Sequence, residues 1–253
     1  MKMLLSLVLT ICFTSPVFGE ELTVYAAAAV KSPFVKLAED YKSATGHTVV
    51  FVFDTAGATE QKFRADPSAA LLITTETLIA ERVKSGMLKD GTSRRLGATV
   101  AALAVPPGAP KPDISTPAKL KAALLAARRI AFSDPARGAT VGTHFTKVIE
   151  MLGIKDQVQQ KATIAPDGIE TMRLVLDKKV DLGVSQMSEI VQANRDALVG
   201  PFPGEFELAT TFSLWYRTDA APAITEFAAL ITGAAGQARL AAEGFRPPGL
   251  SAK

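Results

Sequence analysis

Three loops in this 253-residue chain set small or hydroxyl-bearing residues between an apolar strand and a helix. They are Asp54-Thr55-Ala56-Gly57, the segment from Ser133 to Gly142, and Ser185-Gln186. The stretch Glu21-Leu-Thr-Val-Tyr-Ala-Ala-Ala-Ala-Val30 has the same form. The first N–H groups of a helix have no intrahelical acceptor, and they sit at the positive end of its dipole. Where small side chains leave that backbone open, an anion is the natural ligand. Ala29, Thr55, Ala56 and Gly57 are therefore candidate contacts, and so are Ser133 and Thr140. Ser185 and Gln186 end a strand, which is where open α/β sheets hold their ligands. Arg137 could fork onto a carboxylate or lie solvated in its loop. Asp54 would repel an anion unless it caps its helix or orients a donor. A gap lined with acids or apolar side chains would not suit an anion at all.

His144 falls in the first turn after Gly138-Ala139-Thr140-Val141-Gly142. A histidine there could move a proton, as an allylic isomerisation requires. Its plainer reading is a half-exposed ring at the edge of the stripe Phe145, Val148, Ile149 and Leu152. His47 follows Gly46 in a turn and has no expected role. Arg94 and Arg95 precede an apolar strand, where one could face the cleft or both could form surface ion pairs. The glycine-containing run lacks a Gly-Lys-Ser/Thr ending, which argues against a nucleotide. Two separated histidines and one cysteine make no metal site, and no cofactor is expected. The formal net charge of +3 is too small and dispersed for nucleic acid.

The elements that carry these loops alternate. Strands are expected at Leu22–Ala26, Thr48–Phe53, Ala69–Thr74 and Leu96–Val105, then at 129–132, 162–164, 181–185 and 207–216. Between them run helices. Ser32 should cap the first, with Phe34, Leu37, Ala38 and Tyr41 on its buried face. Ser115 or Thr116 caps another ahead of Pro117, and Ser188 with Glu189 opens the one after Gln186. Such alternation predicts parallel strands covered on both faces. A break at Pro106 to Pro112 separates two sets of elements. The expected fold is an α/β pair of lobes, each a mixed, mostly parallel sheet flanked by helices. Residues 20–97 and 211–253 make the first lobe and 98–210 the second, so two extended strands form a hinge over a ligand cleft.

Lys2 and the apolar run Met3–Phe13 form a secretory signal, with the cut placed after Val17-Phe18-Gly19. The mature chain has no cysteine and no further membrane-length apolar run of about 18 residues. It is expected in the periplasm, as a monomer.

At these residues the chain resembles the periplasmic molybdate-binding proteins of ABC importers, within the wider type II solute-binding superfamily. Val24-Tyr25-Ala26-Ala27-Ala28-Ala29-Val30 is similar to the family's opening strand. Phe53-Asp54-Thr55-Ala56-Gly57 resembles its second loop, Ile130 to Pro135 its strand and Asp-Pro loop, and Asp181-Leu182-Gly183-Val184 its Asp-Ala-Gly-Ile strand. The resemblance spans nearly the whole mature chain and implies a small anionic ligand and an ABC permease as partner. The oxyanion shell departs from the pattern. Ala29 stands where a serine hydroxyl is usual, Ala56 replaces one serine of the second loop, and the place of a tyrosine falls to Gln186. Each lost charge-assisted bond costs about 1.5–3 kcal/mol, so a carboxylate is expected rather than molybdate. Some sequences similar to these binders are described as aconitate isomerases, which makes such an isomerase the alternative.

Overall fold

The computed structural model describes residues 19–248, so the secretory segment lies outside the described residues apart from Gly19. Strand β1 (Glu21–Ala27) runs parallel to β2 (Thr48–Asp54) and β3 (Leu71–Thr75). A late strand, β9 (Ala209–Arg217), lies antiparallel on β3. The long strand β4 (Gly91–Ala104) pairs with β9 from Gly91 to Val100. From Ala101 it pairs instead with β7 (Leu182–Gln186), and from Ala102 also with β8 (Leu198–Pro201). Beyond β7 lie β5 (Ile130–Ser133) and β6 (Ala162–Ala165), both parallel. The path is β2-β1-β3-β9-β4-β7-β5-β6, with β8 beside β4. Two α/β lobes with parallel outer strands thus share antiparallel strands at their junction, the two-lobed class read from the sequence.

The helices are α1 (Lys31–Thr45), α2 (Ala56–Ala65), α3 (Glu76–Lys84), α4 (Pro117–Ala126), α5 (Thr140–Met151), α6 (Lys155–Gln159), α7 (Gly168–Leu176), α8 (Met187–Asn194), α9 (Pro222–Thr232) and α10 (Ala234–Ala242). In α1 the stripe Phe34, Leu37, Ala38 and Tyr41 is buried, packed with Phe227 and Ile231 of α9. On the opposite face of that sheet Tyr25, Phe63, Leu72 and Trp215 form a second cluster. The other lobe repeats the plan. Phe132, Phe145, Val148 and Ile149 pack on one face, and Met172, Val175 and Ile190 on the other. Each such burial of a large apolar side chain contributes about 1.5–3 kcal/mol.

Two caps differ from expectation. A 3-10 turn at Ala28–Val30 runs straight into α1, so Val30 is its cap residue and Ser32 lies inside the first turn. Ser32 N–H is met by Gln192 Oε1 of α8 at 2.8 Å, and Gln192 Nε2 donates to Ala29 O at 2.7 Å. One lobe therefore caps a helix of the other, which no local pattern reveals. At α8 the cap residue is Gln186, not Ser188, and Glu189 Oε2 reaches back to Gln186 N–H at 3.1 Å.

The lobes also meet at the loops. Arg137 Nη2 lies 2.8 and 2.7 Å from the two Asp54 carboxylate oxygens. Thr55 Oγ1 donates to Arg137 O, and Gly57 N–H donates to Gly138 O at 3.2 Å. A Cβ on Gly57 would come within 2.8 Å of Gly138 Cα, so this approach needs glycine on both sides. Burial alone would push the Asp54 carboxyl up. Hydrogen bonds from Lys62, Arg137 and the Thr55 amide outweigh it and hold the group below the usual carboxylate range.

Gly142 seats α5 on the end of β5, because an added Cβ would lie 1.8 Å from Ser133 O. Gly142→Ala gains up to ~1 kcal/mol of helix propensity but overpacks against backbone, at about 1–3 kcal/mol. The clash cannot be relieved by a rotamer, so a lower urea midpoint is expected; an unchanged one would show that the contact relaxes freely. Arg137→Ala should lose roughly 1–2 kcal/mol at pH 7, since the guanidinium is partly exposed. Asp54 has a lowered pKa in the fold, so its stabilisation is present above the unfolded value of about 3.9 and fades as pH falls below it. The gap between variant and wild type in chemical denaturation should narrow over that same acid range.

Candidate functional site

Between the lobes lies a partly open cavity of about 30 Å³, room for one or two waters. The alanines of β1 and its 3-10 turn enter it from one side, with Thr55 and Ala56 at the start of α2. Ser133 at the end of β5, and Thr140 and Val141 at the start of α5, face them. Gly168 at the start of α7 and Gln186 at the cap of α8 complete the wall, with Phe212 of β9. Four helix starts therefore converge on one small volume. Several of their first N–H groups are already met, Gly57 by Gly138 O, Ala58 by Thr55 Oγ1, Glu170 by Asp167 Oδ1 and Ser188 by Thr99 Oγ1, so what the four starts offer an anion is their aligned dipoles and the amides left over. Ala56 and Thr140 also line an outer groove of about 760 Å³, which runs between α3 and α5. A wider hollow of about 820 Å³ beside Asp66 and Trp215 belongs to one lobe and receives no helix start.

Of the residues singled out in the sequence, Ala29, Thr55, Ala56, Ser133, Thr140 and Gln186 are brought together at this cavity. Four are not. Gly57 is closed against Gly138. Arg137 is committed to Asp54, with its Nε on Pro166 O at 3.1 Å. Ser185 is fully buried and donates to Glu189 Oε2. His144 points into the outer groove region, where Nε2 bonds Phe206 O at 2.8 Å and the ring stacks on Phe202. His144 thus sits at the edge of the α5 stripe, outside the wall of the small cavity and in the outer groove that shares Ala56 and Thr140 with it. His47 accepts from Glu20 N–H at 2.9 Å and stacks on Tyr41. Arg95 forms an exposed pair with Glu76, both bonds at 2.9 Å.

The expectation of an acid-free gap also fails, because Asp54 and Glu189 both line the cavity. Asp54 is neutralised by Arg137 and Lys62 as described. Glu189 has no cation partner among the described residues. Burial pushes its carboxyl up to about 7, against the hydrogen bonds from Ser185 and the Gln186 amide, and Asp167 adds to the rise. Its carboxylate occupies the space a Cβ on Gly168 would take, 2.1 Å from Oε2. In sequence Glu189 reads as an ordinary first-turn acid, and nothing in the chain order marks it as desolvated. Gln186 is buried, donates from Nε2 to Thr210 Oγ1 at 3.1 Å, and shares a capping box with Glu189, each side chain facing the other's backbone N–H. Among the described residues no group of three or more His, Cys, Asp or Glu could hold a metal, and no helix is long and apolar enough to cross a membrane.

Comparison with known proteins places this geometry in a family. Residues 22–246 match the family described as bacterial extracellular solute-binding proteins. An aconitate isomerase of Pseudomonas sp is 26% identical over 199 residues, 76% of this chain and 74% of that one. In fold the chain is similar to the periplasmic molybdate-binding protein of Azotobacter vinelandii, with a TM-score of 0.73 and 19% identity over 90% of this chain and 99% of that one. It is also similar to the sulfate-binding protein SubI of Mycobacterium tuberculosis H37Rv, at 0.69 and 16% identity, covering 91% and 88%. At those identities the solved structures speak for the fold. The match across nearly the whole described chain makes this protein a member of the bacterial extracellular solute-binding protein family.

Proposed function

We propose that the protein is an exported binder of a small carboxylate, delivered to an ABC permease. Lobe 1, residues 20–97 and 211–253, closes on lobe 2, residues 98–210, by bending of β4 and β9. One observation carries the reading: helix starts from both lobes face each other across a single cavity. Ser133 and Thr140 add hydroxyls, that of Thr55 being given to Arg137 O, and Ala56 leaves room toward the outer groove for the rest of a polyacid. The carboxylate preference rests on the alanines at positions 29 and 56 and on Gln186, which supply fewer fixed donors than a tetrahedral dianion needs. The buried volume is small, so the closed form excludes water and the electrostatic contacts inside it are strong. The chain is read as a monomer in the periplasm.

A second reading is favoured by Glu189 and by the Pseudomonas relative. On the same scaffold an unsaturated tricarboxylate would lose a proton from its methylene carbon and regain one at the far end of the allyl system. The double bond moves and nothing is oxidised. A carboxyl with a pKa near neutrality suits both halves of that exchange, so Glu189 in the cavity wall is proposed for it beside His144 of the outer groove.

Calorimetry against oxyanions and di- and tricarboxylates tests the first reading, with micromolar binding of at least one carboxylate expected. No binding of any panel member removes it. For the second, absorbance of cis- and trans-aconitate should change with wild type and with His144→Ala, and slow at least 100-fold in Glu189→Gln. Equal rates in wild type and Glu189→Gln would acquit the glutamate.

A further inference from the structure

The small cavity has room for the head of one carboxylate, so the rest of a longer acid lies where the wall is open. Ala56 and Thr140 stand on both that wall and the outer groove of about 760 Å³. From Thr140 the sequence carries polar side chains down one side of α5. Thr140, Thr143, His144 and Lys147 fall at i, i+3, i+4 and i+7, and all four line the groove. The buried stripe of the same helix, with Val141, Phe145, Val148 and Ile149, is separate from them. One helical turn is about 5.4 Å, comparable with the spacing of two carboxylates on a short carbon chain. A helical side chain covers the turn before its own Cα, so Lys147 lies over the turn of Thr143 and His144. His144 is held there by Phe206 O, 2.8 Å from its Nε2. The acid of α5, Glu150, pairs with Lys155 at 3.3 Å and not with Lys147. Across the groove Glu76 is met by Arg95, and buried Glu60 by Arg64 and Arg82. Glu81 of α3 and Lys147 are the two charged groups of the groove without an ion-pair partner among the described residues.

Taking the carboxylate reading as its basis, we infer that Lys147 is a specificity-determining residue, the counter-charge for a second carboxylate in the outer groove. The site then selects a di- or tricarboxylate over a monocarboxylate or a compact oxyanion. The first carboxylate takes the cavity between the helix starts. The second lies about one turn along α5, against the ammonium, which as a compact charge on a flexible stem needs no fixed geometry to meet it. A monocarboxylate of the same length puts a methyl group at that place and gains nothing from the charge. Sulfate or molybdate has no atom that extends so far. Glu81 on the opposite wall opposes a third charge near α3, so the favourable track runs along α5.

The test is calorimetry with tricarballylate, succinate, butyrate and sulfate on the full mature protein. Wild type should bind succinate about tenfold tighter than butyrate, its monocarboxylate counterpart. Lys147→Met should weaken succinate and tricarballylate about threefold to fivefold, the reach of an exposed ion pair, and leave butyrate and sulfate unmoved. Lys147→Arg should keep the wild-type values. Glu81→Gln should hold or tighten succinate. Were Lys147 merely a partner for Glu81, that variant would weaken succinate as Lys147→Met does, and this result overturns the inference. Succinate no tighter than butyrate in wild type, or polyacid affinities unmoved by Lys147→Met, overturns it too and leaves the carboxylate reading standing. Failure of every acid to bind overturns the reading itself. Should Lys147→Met fail to fold, as judged by circular dichroism, Lys147→Gln makes the same comparison with a soluble side chain of similar length.

Discussion

Unpaired N–H groups at helix starts are the constraint on which the cavity depends. A parallel strand hands the chain to a helix at its carboxyl end, and each handover leaves donors without acceptors. Four such handovers, at Thr55, Ala139, Asp167 and Gln186, open on the same gap because the two sheets are joined edge to edge through β4 and β9. The same constraint explains the first helix. Its cap residue, Val30, has no side chain to accept a hydrogen bond, and the amide of Gln192 from the other lobe supplies both an acceptor for Ser32 and a donor for Ala29. The contact between the lobes therefore completes hydrogen bonding that neither lobe completes alone.

That positive gap holds two carboxyls, and they are accommodated in opposite ways. Asp54 keeps its charge because Arg137, Lys62 and the Thr55 amide compensate it, and it becomes a tie between lobes. Glu189 has only a hydroxyl and an amide to lean on, so desolvation wins and its carboxyl holds a proton far more readily than an exposed glutamate. Glu189 is thus the acid of the cavity wall that burial brings toward neutrality, and Asp54 the one that keeps its charge and ties the loops together.

The alternation of strands and helices was legible because apolar periodicity reports burial directly. Phe34, Leu37 and Tyr41 fall on the face they were expected to bury. Ala29, Thr55, Ser133, Thr140 and Gln186 were legible as a cavity wall for a local reason too: each stands where a strand gives way to a helix or turn. What could not be read were partnerships across the chain. Arg137 meets a residue 83 positions away, and Gln192 reaches one 163 positions away. Ser32 and Ser188 fit the pattern of a cap, yet each helix begins earlier, where a neighbouring element meets its donors. The desolvation of Glu189 belongs to the same class, since burial by Gly168 and α7 is a property of packing.

The crossover strands link the wall of the cavity to the junction of the two lobes. β4 changes partners between Val100 and Ala101, and at that step Ala101 lies opposite Gln186 of β7. Gln186 also holds Thr210 at the start of β9, and Ser188 N–H holds Thr99 of β4 at 3.1 Å. Gln186 thus lies where the pairing of the crossover strands switches, tied to both of them, while the Asp54–Arg137 contact joins the two lobes some distance from that switch, through the loops at the ends of their strands.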